Sequence, residues 1–100
     1  MKIKLLSSAL EDLSRGRLFY EKQAEGLGEY FFDSLFSDID SLMLYGGIHP
    51  EFFGYHRILS KRFPYAIYYR FEKVEGVVIV YRVLDLRCDP KKIKKSLEPR

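Results

Sequence analysis

A chain of 100 residues with 47% hydrophobic and 31% charged side chains is one globular domain with one core. It holds no apolar run near the roughly 20 residues that span a bilayer, its N-terminus lacks the long apolar stretch of a secretory signal, and its lone Cys88 allows no internal disulfide. A cytoplasmic protein without a membrane partner is therefore expected, and the net charge of +3 is divided: residues 1–50 hold five Lys/Arg against eight Asp/Glu, residues 51–100 twelve against six. A basic half of this kind suits an acidic partner, either nucleic acid or an acidic protein segment.

Lys2–Leu6 alternates charged and apolar residues and predicts a short strand. Ser8 and Glu11 then have the spacing of a capping box at the start of a helix. Ala9, Leu13, Tyr20 and Ala24 lie near one helical face with Leu10 beside them, and Gly16 sits inside that helix, at a cost of about 1 kcal/mol relative to Ala. Gly26-Leu27-Gly28 breaks the pattern. A second helix is predicted from Glu29 to Leu44, with Phe32, Leu35, Phe36, Ile39, Leu42 and Met43 as its apolar stripe. The short break implies an antiparallel hairpin of helices. Gly46-Gly47 supplies a left-handed residue to end it, and Ile48–Gly54 reads as a loop around Pro50.

Three strands follow, over Tyr55–Ser60, Phe63–Glu72 and Val77–Leu86. The middle one places Phe63, Tyr65, Ile67, Tyr69 and Phe71 on one face. Lys73-Val74-Glu75-Gly76 forms the turn to the last, with Gly76 where a hairpin bulge wants positive φ. Both faces of the last strand are apolar, which makes it central. Asp89-Pro90 reads as N-cap and first residue of a terminal helix through Leu97, with Ile93 and Leu97 four apart. The expected fold is thus α+β, in the order β-α-α-β-β-β. A helical hairpin covers one face of a small antiparallel sheet, and the first strand lies beside one of the C-terminal strands.

The string Lys61-Arg62-Phe63-Pro64-Tyr65-Ala66-Ile67-Tyr68-Tyr69-Arg70 and the closing Arg82-Val83-Leu84, Arg87 and Asp89-Pro90 carry a resemblance. With the N-terminal strand running into Ala9 and Glu11-Asp12-Leu13 and with the Phe-rich second helix, they resemble the ParE/RelE superfamily of toxins from type II toxin–antitoxin modules, the ParE branch (plasmid stabilisation proteins) in particular. The resemblance spans nearly the whole chain. It implies a small bacterial toxin neutralised by a co-expressed acidic antitoxin, as a homodimer or a heterotetramer with it. ParE-like members poison DNA gyrase and RelE-like members cut mRNA on the ribosome. Asp85 and Cys88 stand where the family often carries His and Arg, and the segment after Leu86 has neither Tyr nor His.

Metal-free RNA cleavage needs a base, cations for the phosphorane and an acid for the leaving oxygen. Arg57, Lys61, Arg62, Arg82 and Arg87 are the candidate cations, with Tyr68 or His56 for proton transfer. The same residues serve equally as contacts to a macromolecular target, and target-binding residues are accordingly expected at Arg57, Lys61, Arg62, Tyr68, Arg82 and Arg87. His49 and His56, seven apart, have no Cys or carboxylate at ligand spacing, so neither a metal nor another cofactor is expected. Cys88 is expected to be a buried, inert thiol. Lys91–Lys95 would touch phosphate, acidic protein or only solvent. Three functions follow: a toxin that binds gyrase, a ribosome-dependent endoribonuclease, or an orphan, non-toxic binding module.

Overall fold

The computed structural model describes residues 1–98. Its elements are β1 (Lys2–Leu5), α1 (Ser7–Glu21), α2 (Leu27–Asp40), α3 (Leu42–Tyr45), β2 (Glu51–Phe52), β3 (Tyr55–Leu59), β4 (Tyr65–Glu72), β5 (Val77–Asp85) and α4 (Pro90–Leu97). The five strands form one sheet in the order β1-β5-β4-β3-β2. β2 to β5 are antiparallel neighbours, as expected. β1 joins them parallel to β5, with Lys2 beside Val77 and Leu5 beside Val80. The sheet is therefore mixed rather than purely antiparallel. A parallel neighbour needs a long crossover, which the helical hairpin and the β2–β4 meander together supply.

Alternation along β4 turns Tyr65, Ile67 and Tyr69 inward, onto a core with Ala9, Leu13, Phe31, Leu35 and Ile39 of the helical hairpin. Ala66 and Tyr68 turn to the outer face, where α4 lays Ile93 and Leu97 over them. In β5, Arg82 sits opposite Tyr68 and Val80 opposite Tyr69, so Tyr81 is an extra residue. This bulge shifts the phase of the strand, which is why Val78, Val80 and then Val83 all face the inner core.

Gly16 is a packing residue. A Cβ there would lie 2.5 Å from Cζ of Phe31, whose ring fills the space between α1 and α2. The Glu21 carboxylate accepts the backbone N–H groups of Gly26 and Gly28 at 3.0 and 2.9 Å. It thereby closes the turn between the helices, and those donors hold its pKa below the usual carboxylate range. Asp89 caps α4 through Lys91 N–H, with Pro90 as the first helical residue. Gly47 and Gly76 both have positive φ, at 96° and 65°.

Several expectations are corrected. The Ser8–Glu11 capping box does not form; α1 starts at Ser7 without a side-chain cap, and the Ser8 hydroxyl donates to the carbonyl of Tyr81 at 2.7 Å. The second helix is interrupted at Ser41, whose hydroxyl donates to the carbonyl of Asp38 at 2.6 Å and competes with the helical ladder. After that break Met43 turns out to 46% exposure, and the fully buried Phe31 takes the place in the core. Ala24 lies exposed beyond the end of α1. The loop around Pro50 carries the short β2, turned into β3 by Phe53 and Gly54 at φ 56° and 85°.

Candidate interaction surface

β1 ends at Leu5, but β5 continues to Asp85, so the outer edge of β5 loses its strand partner half-way. The start of α1 supplies the missing hydrogen bonds. Leu6 N–H reaches the carbonyl of Val80, the Ser8 hydroxyl reaches that of Tyr81, and Asp12 Oδ2 accepts Val83 N–H at 2.9 Å. The same buried carboxylate takes Arg82 in a two-pronged pair, Nε to Oδ2 at 2.7 Å and Nη2 to Oδ1 at 2.9 Å. Arg82 Nη1 then donates to the carbonyl of Ser96 at 3.2 Å, tying α4 to the same point. The hydrogen bond from Arg82 to Asp12 raises the arginine's pKa further. Three donors of Arg82 are thus taken up inside the fold, while its side chain stays 24% exposed.

Tyr68 of β4 is 1% exposed and packs with Ile93 and Leu97 of α4. Arg87 is half-exposed but paired, with Nη2 2.8 Å from Asp85 Oδ2 and 3.2 Å from the Tyr20 hydroxyl. The Arg87 hydrogen bond holds Asp85 below the usual carboxylate range. Lys61 and Arg62 are exposed on the β3–β4 loop, anchored by Asp38, which accepts Ser60 Oγ at 2.8 Å and Lys61 N–H at 3.3 Å. Phe63, the residue after Arg62, packs on Tyr20 with ring centroids 4.8 Å apart, and the Tyr20 hydroxyl accepts from Arg87. Arg57 lies apart on the outer sheet face, 3.6 Å over the ring of Phe52. Of the six expected residues, Tyr68 is buried, Arg82 is held by Asp12 and Arg87 by Asp85, Arg57 lies on the outer sheet face, and Lys61 and Arg62 are exposed on the β3–β4 loop.

Between α1 and α4 a cleft of about 370 Å³ is lined by Asp12, Arg15, Tyr65, Asp85, Cys88 and Lys92, among others. It offers no free base. Both carboxylates are held by arginines, and burial, with Asp85 nearby, pushes the Tyr65 hydroxyl up to about 12. Cys88 is exposed, not buried as expected, because it sits in the turn before α4 rather than in the strand. His56 Nδ1 is bound to the carbonyl of His49 at 2.7 Å, and its ring stacks on Tyr69. The acid, base and cations of a nuclease are not brought together by these contacts.

The accessible surface of the sheet is the part of its outer face that α4 leaves open. Lys2 and Lys4 of β1 lie beside Val77 and Ile79 of β5, which lie beside Glu72 and Arg70 of β4. Continuing the β3–β4 register by one residue brings Tyr55 beside Arg70, and Tyr55 pairs with Phe52. One row, Lys4-Ile79-Arg70-Tyr55-Phe52, therefore crosses all five strands. The Arg70 guanidinium carbon lies 4.4 Å from the Tyr55 ring centroid and 5.3 Å from that of Tyr81. Among the described residues, Lys2, Lys4, Arg57 and Arg70 make no ion pair. Lys2, Lys4 and Arg70 were not singled out from sequence. Period-two alternation already put Lys2 with Lys4 and Arg70 with Tyr68, but the β1–β5 pairing that unites the two sets was not readable.

No protein-family model and no curated protein matches the sequence. Among solved structures, a chain of "Chromosomal ParDE TA system from P. aeruginosa" is similar at a TM-score of 0.70, with 15% sequence identity, over 86% of this chain and 96% of that one. The chain has the ParE/RelE-like fold. At that identity the likeness is one of architecture, and it meets the expectation drawn from the Phe-Pro-Tyr strand and the Asp-Pro cap.

Proposed function

We propose that the protein is the toxin of a type II toxin–antitoxin module, acting in the bacterial cytoplasm by binding DNA gyrase and neutralised by an acidic antitoxin. The observation that carries this reading is the shared fold with a chain of the chromosomal ParDE system. Binding is favoured over RNA cleavage because Tyr68 is buried, Arg82 is held by Asp12 and Arg87 by Asp85. Lys61, Arg62 and the open side of Arg87, set among Phe19, Tyr20, Tyr30 and Phe63, make the target-facing pole. Rim cations around aromatic anchors are the usual make-up of a protein-binding hot spot.

Induced expression in a bacterial host, with and without the acidic protein encoded beside the gene, tests this reading. Growth arrest with loss of plasmid supercoiling, relieved by the neighbouring protein, is the expected result. Arrest with rapid mRNA fragmentation and intact supercoiling would assign a ribosome-dependent endoribonuclease instead. No arrest would leave an orphan binding module.

A further inference from the structure

We infer that the cleft between α1 and α4 is a binding site for a small amphipathic acid, an N-acylated amino acid with an apolar side chain, laid along the free edge of β5. The site does not depend on the toxin reading. The fold leaves three hydrogen-bonding groups open there. Leu6 N–H, the Ser8 hydroxyl and Asp12 stand in for a strand neighbour of β5 as far as Val83 N–H. The next two groups on that edge are the Val83 carbonyl and Asp85 N–H. Leu86 N–H bonds the Pro64 carbonyl, so alternation points Val83 and Asp85 away from β4. Neither group has a hydrogen-bond partner among the described residues, and both residues line the cleft.

The third group is the Tyr65 hydroxyl. Tyr65 is 7% exposed and lines the same cleft. Its hydroxyl makes no hydrogen bond with a described residue, whereas Arg87 beside it is bonded to Asp85 and Tyr20. Among the described residues no side-chain polar atom is both buried and unpartnered, so this hydroxyl opens into the cleft. Burial keeps it protonated at neutral pH, and it stands there as a donor.

These groups specify the occupant. A residue running parallel to β5, as β1 does, gives its N–H to one carbonyl and accepts the N–H two positions on. An amide N–H followed one carbon later by a carboxylate matches the Val83 carbonyl and Asp85 N–H. Tyr65 is the register partner of Asp85, so its hydroxyl lies at the carboxylate end. Charge agrees: the lining holds Arg15, Arg82 and Lys92 against Asp12 and Asp85. Both carboxylates are already paired with arginines, whereas Lys92 is exposed and makes no ion pair among the described residues. The walls are apolar, with Phe19 of α1 at 47% exposure facing Ile93 of α4 over Leu84. A cleft of about 370 Å³ is of metabolite size.

The test uses the purified full chain and four probes: N-acetyl-L-phenylalanine, its carboxamide, 3-phenylpropionate, which lacks the amide, and a short apolar peptide blocked at both ends. Calorimetric titration measures binding. Alkylation of the exposed Cys88, the chain's single thiol and part of the cleft lining, reports where the probe sits. The acid should bind with a Kd below about 1 mM and slow the alkylation. The carboxamide and 3-phenylpropionate should each bind at least about fivefold more weakly. Lys92→Glu should weaken the acid about tenfold, whereas Lys73→Glu, the same charge change in the exposed β4–β5 turn, should alter it less than about twofold. Tyr65→Phe should weaken it about threefold or more at an unchanged unfolding midpoint, since the hydroxyl has no protein partner to lose. No saturable binding of the acid, binding that leaves Cys88 alkylation unchanged, equal loss in the two lysine variants, or no loss in Tyr65→Phe overturns the site. Carboxamide or 3-phenylpropionate bound as tightly as the acid overturns the choice of an acylamino acid. The blocked peptide bound more tightly than the acid gives the cleft to a protein strand instead and overturns it too. None of these readouts involves cells, so failure here leaves the growth-arrest result standing, and the converse holds.

Discussion

Arg82 and Asp12 meet where β1 stops and β5 goes on, 2.7 Å apart at their closest atoms, so that one carboxylate serves both a cation and the orphaned N–H of Val83. The pair fastens α1 to the sheet, and Arg82 passes the connection to α4 through Ser96. Removing the acid leaves a partly buried guanidinium and a buried amide without partners. Asp12→Ala should therefore cost about 3 kcal/mol, the low end for breaking a buried pair because Arg82 keeps some contact with water. Urea denaturation measures it. A loss under about 1 kcal/mol would show that water replaces Asp12 at no real penalty.

Gly16→Ala should destabilise although alanine is the better helix former. The gain in helical propensity is about 1 kcal/mol. The new methyl meets the Phe31 ring at 2.5 Å, and that ring is wedged among Tyr20, Phe63 and Tyr65 with centroid distances of 5.1, 5.1 and 4.9 Å. Overpacking of this kind costs about 1–3 kcal/mol, so the clash outweighs the propensity. Gly16→Ala with Phe31→Leu should recover part of the loss. If Gly16→Ala alone raises the midpoint of thermal unfolding, the hairpin is looser than its contacts indicate.

The elements were legible in the sequence because each rests on a local signal: alternation in Lys2–Leu5, the apolar stripe of α2, Gly76 in the hairpin, Asp89-Pro90 at α4. What was illegible depends on partners far along the chain. Ser8 looks like a cap until β5 is known to lack a neighbour beside it, 73 residues away. Arg82 looks like a surface cation until Asp12 is brought to it across 70 residues. Tyr68 and Arg57 sit in one register row, but only the first is roofed by α4, and nothing local says where that roof ends. The cations and rings of the sheet were legible from composition and alternation, but which of them are paired or covered was not, because Asp12 and α4 reach Arg82 and Tyr68 only through the fold.

Stability should fall between pH 7 and pH 5 through His49. Its Nδ1 bonds the Tyr69 hydroxyl, which also accepts Gly47 N–H at 2.9 Å. With that acceptor role filled, the hydroxyl can donate to a neutral His49. Burial, with His56 nearby, lowers the His49 pKa. A base with a depressed folded pKa gives full stability above its unfolded value, near 6.5. As pH falls below that, the unfolded state takes up the proton first, and stability is lost until the folded pKa is passed. Glu21 and Asp85, whose folded pKa values are depressed, lose stability only at lower pH, as pH drops below their unfolded values near 4.5 and 3.8. Urea midpoints at pH 7.5 and 5.5 should differ for the wild type and converge in His49→Gln. An unchanged difference in that variant would place the titration elsewhere.

Tyr68→Phe should leave growth arrest intact. The ring of Tyr68 fills the second core with Ile93 and Leu97 and is 1% exposed, so no target can touch it while α4 is in place. Phenylalanine keeps that ring and its packing. Tyr68→Ala removes it and should cost about 3–5 kcal/mol, with any loss of toxicity following from unfolding. Lys61→Glu with Arg62→Glu should do the opposite, abolishing arrest with unfolding changed by less than about 0.5 kcal/mol, since both side chains are exposed. Measuring arrest and unfolding on the same three variants separates a structural ring from a target-facing loop. Should Tyr68→Phe abolish arrest at unchanged stability, the hydroxyl would be acting on a target, and α4 would have to move aside to let it.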